Sequence, residues 1–218
     1  MLSLFPELDV PRTGRLELCP GAAVLYGAAY SVDRQLLSAL DEIVTQSPFR
    51  HMTTPGGFTM SVGMTNCGAL GWLSDAAGYR YGALDPITKQ PWPSMPPCFL
   101  ALAQEAAAEA GFPDYVPDAC LINRYTVGAR LSLHQDRDEQ DLQAPIVSVS
   151  LGLPATFQFG GLRRKDVPVR VPLRHGDVVV WGGPARLRYH GVLPLQADQH
   201  PLTGPYRINL SFRRVRTR

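Results

Sequence analysis

The stretch of this chain best equipped for chemistry is Leu131-Ser-Leu-His134-Gln-Asp136-Arg-Asp138. On an extended backbone side chains alternate, so His134 and Asp136 project to one face. An imidazole beside a carboxylate is a half-built site for a divalent metal, and it wants a third donor. His190, in Arg188-Tyr-His190-Gly191, is the best candidate. Two His and one carboxylate, with the other positions left open, are the donor set of a non-haem iron(II) oxygenase centre. His-x-Asp alone is a weak signal, so the triplet needs support from elsewhere.

That support is the C-terminal stretch Arg207-Ile-Asn209-Leu-Ser211-Phe-Arg213. Its polar residues fall at every second position between Ile208, Leu210 and Phe212, the pattern of a half-buried strand. Arg rarely points at a core unless an anion pairs with it there. Its planar fork grips a carboxylate through two hydrogen bonds. A metal triad beside such a strand implies a dicarboxylate co-substrate that chelates the metal.

The elements that must hold these residues are read from composition and pattern. With 218 residues, 45% of them hydrophobic, the chain suits one domain with a sizeable core. Twenty Gly and twenty Pro favour a turn-rich, β-rich build. A net charge of +2 gives no whole-molecule field that would demand nucleic acid, although the tail Arg213-Arg214-Val-Arg216-Thr-Arg218 is basic. Cys19, Cys67, Cys98 and Cys120 show no metal-finger spacing and fit a reducing compartment. No secretion signal opens the sequence and no apolar run is long enough to span a membrane. The expectation is a cytoplasmic monomer, free of membrane.

Residues 1–20 read as a loose lead-in, followed by a short strand over 24–26. A helix opens near Ser31 with Leu36, Leu37, Leu40, Ile43 and Val44 on one face, and Ser47-Pro48 ends it. Residues 49–95 are irregular: a turn at Thr53–Gly57, a strand over 58–65, then Gly68, Gly71, Gly78 and Gly82 as breaks. Trp72, Tyr79, Tyr81 and Trp92 lie among them and together suit a lid that stacks on a flat ligand, or anchor the loops one by one. A second helix begins at Pro96-Pro97 and closes at Gly111. Strands then follow over 119–125, 146–153, 156–159, 169–173, 177–181, 187–190 and 207–212, which argues for a jelly-roll or barrel. His175 reads as a turn residue, and His51 and His200 carry no ligand pattern.

Several motifs together are more specific than the triplet. Leu121-Ile-Asn123-Arg-Tyr125, Leu131-Ser-Leu-His134-Gln-Asp136, Phe157-Gln-Phe-Gly-Gly161, Gly176-Asp-Val-Val-Val-Trp-Gly-Gly183 and Arg207-x-Asn-Leu-x-Phe-Arg213 resemble the AlkB family of iron(II)- and 2-oxoglutarate-dependent nucleic-acid dealkylation dioxygenases. With Ser47-Pro-Phe-Arg, Thr54-Pro-Gly-Gly and Met64-Thr-Asn-Cys-Gly added, the resemblance covers nearly the whole chain. It implies a mainly β protein with flanking helices: a double-stranded β-helix (jelly-roll) core over 118–214 and a nucleotide-recognition lid over 49–95, in a single domain 1–218. It also implies that His134, Asp136 and His190 hold Fe(II). Arg207 and Arg213, helped by Asn123, Tyr125 and Asn209, would bind 2-oxoglutarate, with O2 as the second co-substrate.

On the substrate side, the resemblance gives Trp72 the role of stacking on a flipped base, with His134 on the other face. Asp138 matches the carboxylate beside that base, and Tyr79 and Thr54 match contacts to the nucleic-acid backbone. Met64, Ser132 and Arg164 match pocket positions. Arg130 stands where a close relative has Lys. The implied reaction is oxidative demethylation of bases such as 1-methyladenine and 3-methylcytosine in single-stranded or damaged double-stranded DNA, the alkyl group leaving as formaldehyde. RNA stays open as a substrate. Residue chemistry agrees: these bases are cationic, so Trp72 offers cation–π attraction and Asp138 an opposite charge. A methyl group on the pairing edge also lowers the cost of extruding the base. Two other readings remain: the same oxidation turned on a small molecule or protein, and a non-enzymatic jelly-roll, which an intact triad with both arginines disfavours.

Overall fold

Alternation of apolar and polar side chains decides which way each strand of this molecule turns. The computed structural model describes residues 12–217; the remainder of the expected lead-in, and Arg218 of the basic tail, lie outside the described residues. Strands β1 (Arg15–Cys19) and β2 (Ala22–Leu25) lead into helix α1 (Asp33–Gln46), then β3 (Arg50–Thr53) and β4 (Thr59–Gly68). A hairpin of β5 (Gly71–Asp75) and β6 (Gly78–Gly82) precedes helix α2 (Pro97–Glu109). The second half is β7 (Ala119–Tyr125), β8 (Leu131–His134), β9 (Ile146–Gly152), β10 (Ala155–Phe159) and β11 (Val169–Leu173). It closes with β12 (Val178–Trp181), β13 (His190–Val192) and β14 (Arg207–Arg213).

These strands form an eight-stranded sheet, in the order β1-β2-β12-β9-β14-β7-β4-β3, and a four-stranded sheet, β11-β10-β13-β8. Neighbouring strands pair antiparallel, as hairpin-rich chains favour. One side of the large sheet packs on the helices: Val147, Val149, Leu210 and Phe212 join Leu36, Ile43, Phe99 and Ala103 in one core. The other side faces the small sheet, where Ile146, Val179 and Leu121 meet Phe157, Phe159 and Val171 in a second core. Burying each of the larger of these side chains is worth about 1.5–3 kcal/mol. Because β14 is flanked by β7 and β9, its apolar row takes the helix side and its polar row is forced between the sheets.

Four expectations need correction. The lead-in contains β1, whose register with β2 is set by Leu16↔Val24 and Glu17↔Ala23. Gly71, Gly78 and Gly82 bound the strands of a hairpin instead of breaking structure, with Trp72 paired to Tyr81 and Ser74 to Tyr79. The strand expected over 187–190 begins only at His190, because Arg188 and Tyr189 turn back to bond Ala185 and Gly161. And β14 is buried along its whole length, on both faces, where a half-buried strand was expected.

Candidate active site

The pairing of β8 with β13 sets His134 and His190 directly opposite one another as cross-strand partners. The close approach depends on Gly191, where a Cβ would sit 2.6 Å from the Leu131 carbonyl oxygen. Asp136 lies two residues past the end of β8, and three contacts hold it. Arg186 Nη1 donates to its carbonyl at 2.6 Å, while Arg213 Nη2 and Nε donate to Oδ2 at 2.7 and 3.1 Å. The ligating atoms of His134, Asp136 and His190 lie within 4.8 Å of one another.

The donor chemistry fits an iron(II) ion. His134 Nδ1 donates to Ser132 O at 2.8 Å and His190 Nδ1 to Arg188 O at 3.0 Å. A carbonyl only accepts, so each ring carries its proton on Nδ1 and turns an Nε2 lone pair toward the centre. Those nitrogens stand 3.5 and 3.7 Å from the Asp136 oxygens. Burial, together with His134 alongside, pulls the His190 imidazole down to about 3, so it is neutral as a ligand must be. Burial alone would raise the Asp136 carboxyl, but the Arg213 guanidinium and the two imidazoles overcome it and hold it well below the usual range.

Deeper in, Arg207 is 2% exposed. Its Nη2 donates to Ser150 Oγ at 3.0 Å, and its guanidinium lies 4.9 Å from the Tyr125 ring centroid. Arg207 Nε and Nη1 are buried without a partner, as is Asn123 Oδ1. Buried guanidinium nitrogens are rarely left so, and a dicarboxylate end would satisfy them. Asn209 Nδ2 is already held by Ser148 Oγ at 2.8 Å and Val149 O at 3.0 Å, and its Oδ1 accepts from Asn123 at 3.2 Å. This pocket therefore fits the second molecule a 2-oxo acid site requires.

At the outer end the β5–β6 hairpin carries Trp72, whose ring stacks on Tyr79 with centroids 5.6 Å apart and planes 15° apart. Trp72 Nε1 donates to Asp138 Oδ2 at 2.9 Å. Asp138 thus pairs with the lid, and neither Arg130 nor Arg137 is its hydrogen-bond partner. Thr54 Oγ1 accepts from Phe58 N at 3.1 Å, and Arg164 Nη1 donates to Leu133 O at 2.7 Å. All fifteen candidate residues, Met64 and Ser132 included, line one cavity of about 870 Å³. Two of the four lid aromatics have another task. Trp92 is 4% exposed, packs against Gly71 and donates to Gly82 O at 2.9 Å, anchoring the hairpin. Tyr81 donates to Glu139 Oε1 at 2.6 Å.

Sequence reading missed the residues that support the site. Glu139 and Arg186 form a buried pair at 2.9 Å, and Glu139 also approaches Arg213 Nε at 3.4 Å. As single charges in loops they carry no periodic signal. Ser148 and Ser150 did: they are polar at period 2 in an apolar strand, the same cue that marked β14.

Fold and triad define a class. The 2OG-Fe(II) oxygenase superfamily model matches residues 23–213. The solved structure of OsALKBH1 superposes with a TM-score of 0.76 at 28% identity, over 91% of this chain and 100% of that one. The alpha-ketoglutarate-dependent dioxygenase AlkB of Salmonella typhimurium is 59% identical over 99% of this chain and 98% of its own. The human nucleic acid dioxygenase ALKBH1 is 36% identical over 42% of this chain and 23% of its own. The chain belongs to the AlkB family of the 2OG-Fe(II) oxygenases, dioxygenases dependent on iron(II) and 2-oxoglutarate.

Proposed function

We propose that this enzyme removes alkyl groups from the pairing edges of bases such as 1-methyladenine and 3-methylcytosine in DNA. The observation that carries the proposal is the single cavity joining an unpartnered buried Arg207 to the triad and then to Trp72, Tyr79 and Asp138. His134, Asp136 and His190 would hold iron(II), which would supply the chemistry that couples reduction of O2 to oxidation of 2-oxoglutarate and of the alkyl group. The chain's own residues do the rest. Arg207 takes the distal carboxylate of 2-oxoglutarate through Nε and Nη1, with Asn123, Tyr125 and Asn209 shaping the slot. Arg213 contributes through Asp136, whose carboxylate it orients.

Trp72 stacks on the extruded base and Asp138 faces its positive charge. Opening the lid to a base exchanges the Trp72–Asp138 hydrogen bond for contacts to the lesion. Thr54 and Tyr79 bear on the backbone of the strand, while Met64, Ser132 and Arg164 bound the pocket. A monomer in the cytoplasm completes the reading; among the described residues no helix is long and apolar enough to cross a membrane. The test is turnover of a single-stranded oligonucleotide carrying 3-methylcytosine, with succinate and formaldehyde measured together. Equal amounts of both products are expected. Succinate formed without formaldehyde, on DNA and RNA alike, would turn the chemistry toward a small molecule or protein.

A further inference from the structure

A second cavity, of about 580 Å³, lies behind the lid and shares two walls with the first, Tyr79 and Asp138. Its own lining is distinctive. β6 contributes Tyr81 and Arg80, and the segment after β14 contributes Val215, Arg216 and Thr217, with Gln140 between them. The segment after β14 is fixed in place: the backbone N–H groups of Val215 and Arg216 donate to the two Asp118 carboxylate oxygens at 2.6 and 3.2 Å. Val215 is 4% exposed and Arg216 is exposed, so the wall is apolar at its base and cationic at its rim. Of the two rim guanidiniums, Arg80 is engaged by both oxygens of Asp75, at 2.8 and 2.6 Å. Among the described residues the Arg216 guanidinium has no ion-pair partner, so it is available to a ligand.

We infer that this cavity is a subsite for the nucleotide next to the lesion, on one side only, resting on the nucleic-acid reading above. Continuity is the first argument. A polymer whose damaged base enters between Trp72 and His134, beside Asp138, leaves its next residue near Tyr79, which lines both cavities. Chemistry is the second: an aromatic and apolar wall suits a base face, Gln140 offers both a donor and acceptors to a base edge, and a rim guanidinium suits a phosphate. Size is the third, since the volume lies in the range of ordinary small-ligand pockets of roughly 300–1,000 Å³. One cavity lying to one side of the lesion pocket makes the requirement directional.

The experiment uses 3-methyl-2′-deoxycytidine nucleotides of increasing length: the mononucleotide, the dinucleotide extended on the 5′ side, the dinucleotide extended on the 3′ side, and the trinucleotide. Formaldehyde release gives kcat/KM for wild type, Arg216→Ala and Thr217→Trp, the last to fill the cavity from an exposed position. In wild type one of the two extensions should raise kcat/KM about tenfold and the other by much less. In both variants that step should fall below about threefold, with the mononucleotide turned over as by wild type. Equal steps in variants and wild type, or equal steps for the two directions, would overturn the subsite while leaving the dealkylase reading standing. No turnover by wild type at any length, in the presence of iron(II) and 2-oxoglutarate, would overturn both.

Discussion

The two ends of the catalytic cavity are built from different material. Its inner end lies on β7, β9 and β14, adjacent strands in the interior of the eight-stranded sheet, and Arg207, Asn209 and Arg213 are all buried there. Its outer end hangs on a two-stranded hairpin whose Tyr79 is 49% exposed. On the proposed reading the inner end would meet the same dicarboxylate in every turnover, so its donors can be fixed in advance, even at the stability cost of leaving Arg207 Nε and Nη1 unmatched without it. On the same reading the outer end would admit a base on a polymer, and the hydrogen bond that joins Trp72 to Asp138 is a contact a base can replace. Preorganisation at one end and replaceable contacts at the other divide the work between chemistry and recognition.

The largest effects belong between the two ends. His134→Ala and Asp136→Ala should each abolish turnover, by about a thousandfold or more in formaldehyde release. The variants should part in stability. His134 is partly exposed, so its loss should leave the denaturant midpoint nearly unchanged. Asp136→Ala removes the nearer of the two carboxylates paired with buried Arg213, leaving Glu139 at 3.4 Å, and should cost about 3 kcal/mol. Substantial turnover in either variant with iron present would remove the triad from the site.

Next comes the inner end. Arg207→Lys keeps charge but loses the fork, and should raise the 2-oxoglutarate requirement roughly 10- to 100-fold while leaving iron affinity little changed. Added 2-oxoglutarate should raise the wild-type Tm and fail to raise that of Arg207→Ala at the same concentration. An unchanged 2-oxoglutarate dependence in both variants would place the anion elsewhere. At the outer end, Trp72→Ala should lower kcat/KM on a methylated oligonucleotide about tenfold with little change in stability, as one lost stacking contact implies. Trp92→Ala should destabilise by about 3–5 kcal/mol, because its ring fills the space against Gly71. If the two tryptophans behave alike, the division of the lid aromatics into one binder and one anchor fails. The smallest effect is Asp138→Asn, which should shift the ratio of rates on cationic and neutral lesions by about five- to tenfold.

The inner end was also the more legible in sequence. The strand expected over residues 119–125 is β7 and that over 146–153 is β9, because long apolar or β-branched runs announce themselves. The polar row of β14 was visible too, although its full burial was not: that follows from the helices on one face and the small sheet on the other, which no local pattern states. The outer end hid its hairpin behind Gly71, Gly78 and Gly82, residues that equally mark breaks. Trp92 and Trp72 sit in similar Gly- and Pro-rich surroundings, and only the tertiary structure separates anchor from binder. Glu139 and Arg186 find each other across 47 residues, beyond the reach of any spacing argument.

One paired measurement tests the division of labour most directly: the KM for 2-oxoglutarate, and the ratio of repair rates for 3-methylcytosine over 3-methylthymine, in wild type, Arg207→Lys and Asp138→Asn. All three are assayed on matched single-stranded oligonucleotides. Arg207→Lys should move the KM at least tenfold and leave the ratio within twofold of wild type. Asp138→Asn should lower the ratio about five- to tenfold and leave the KM within twofold. If either variant moves both quantities together, or Asp138→Asn leaves the ratio where it was, the two ends do not act separately and lesion charge is not read at Asp138.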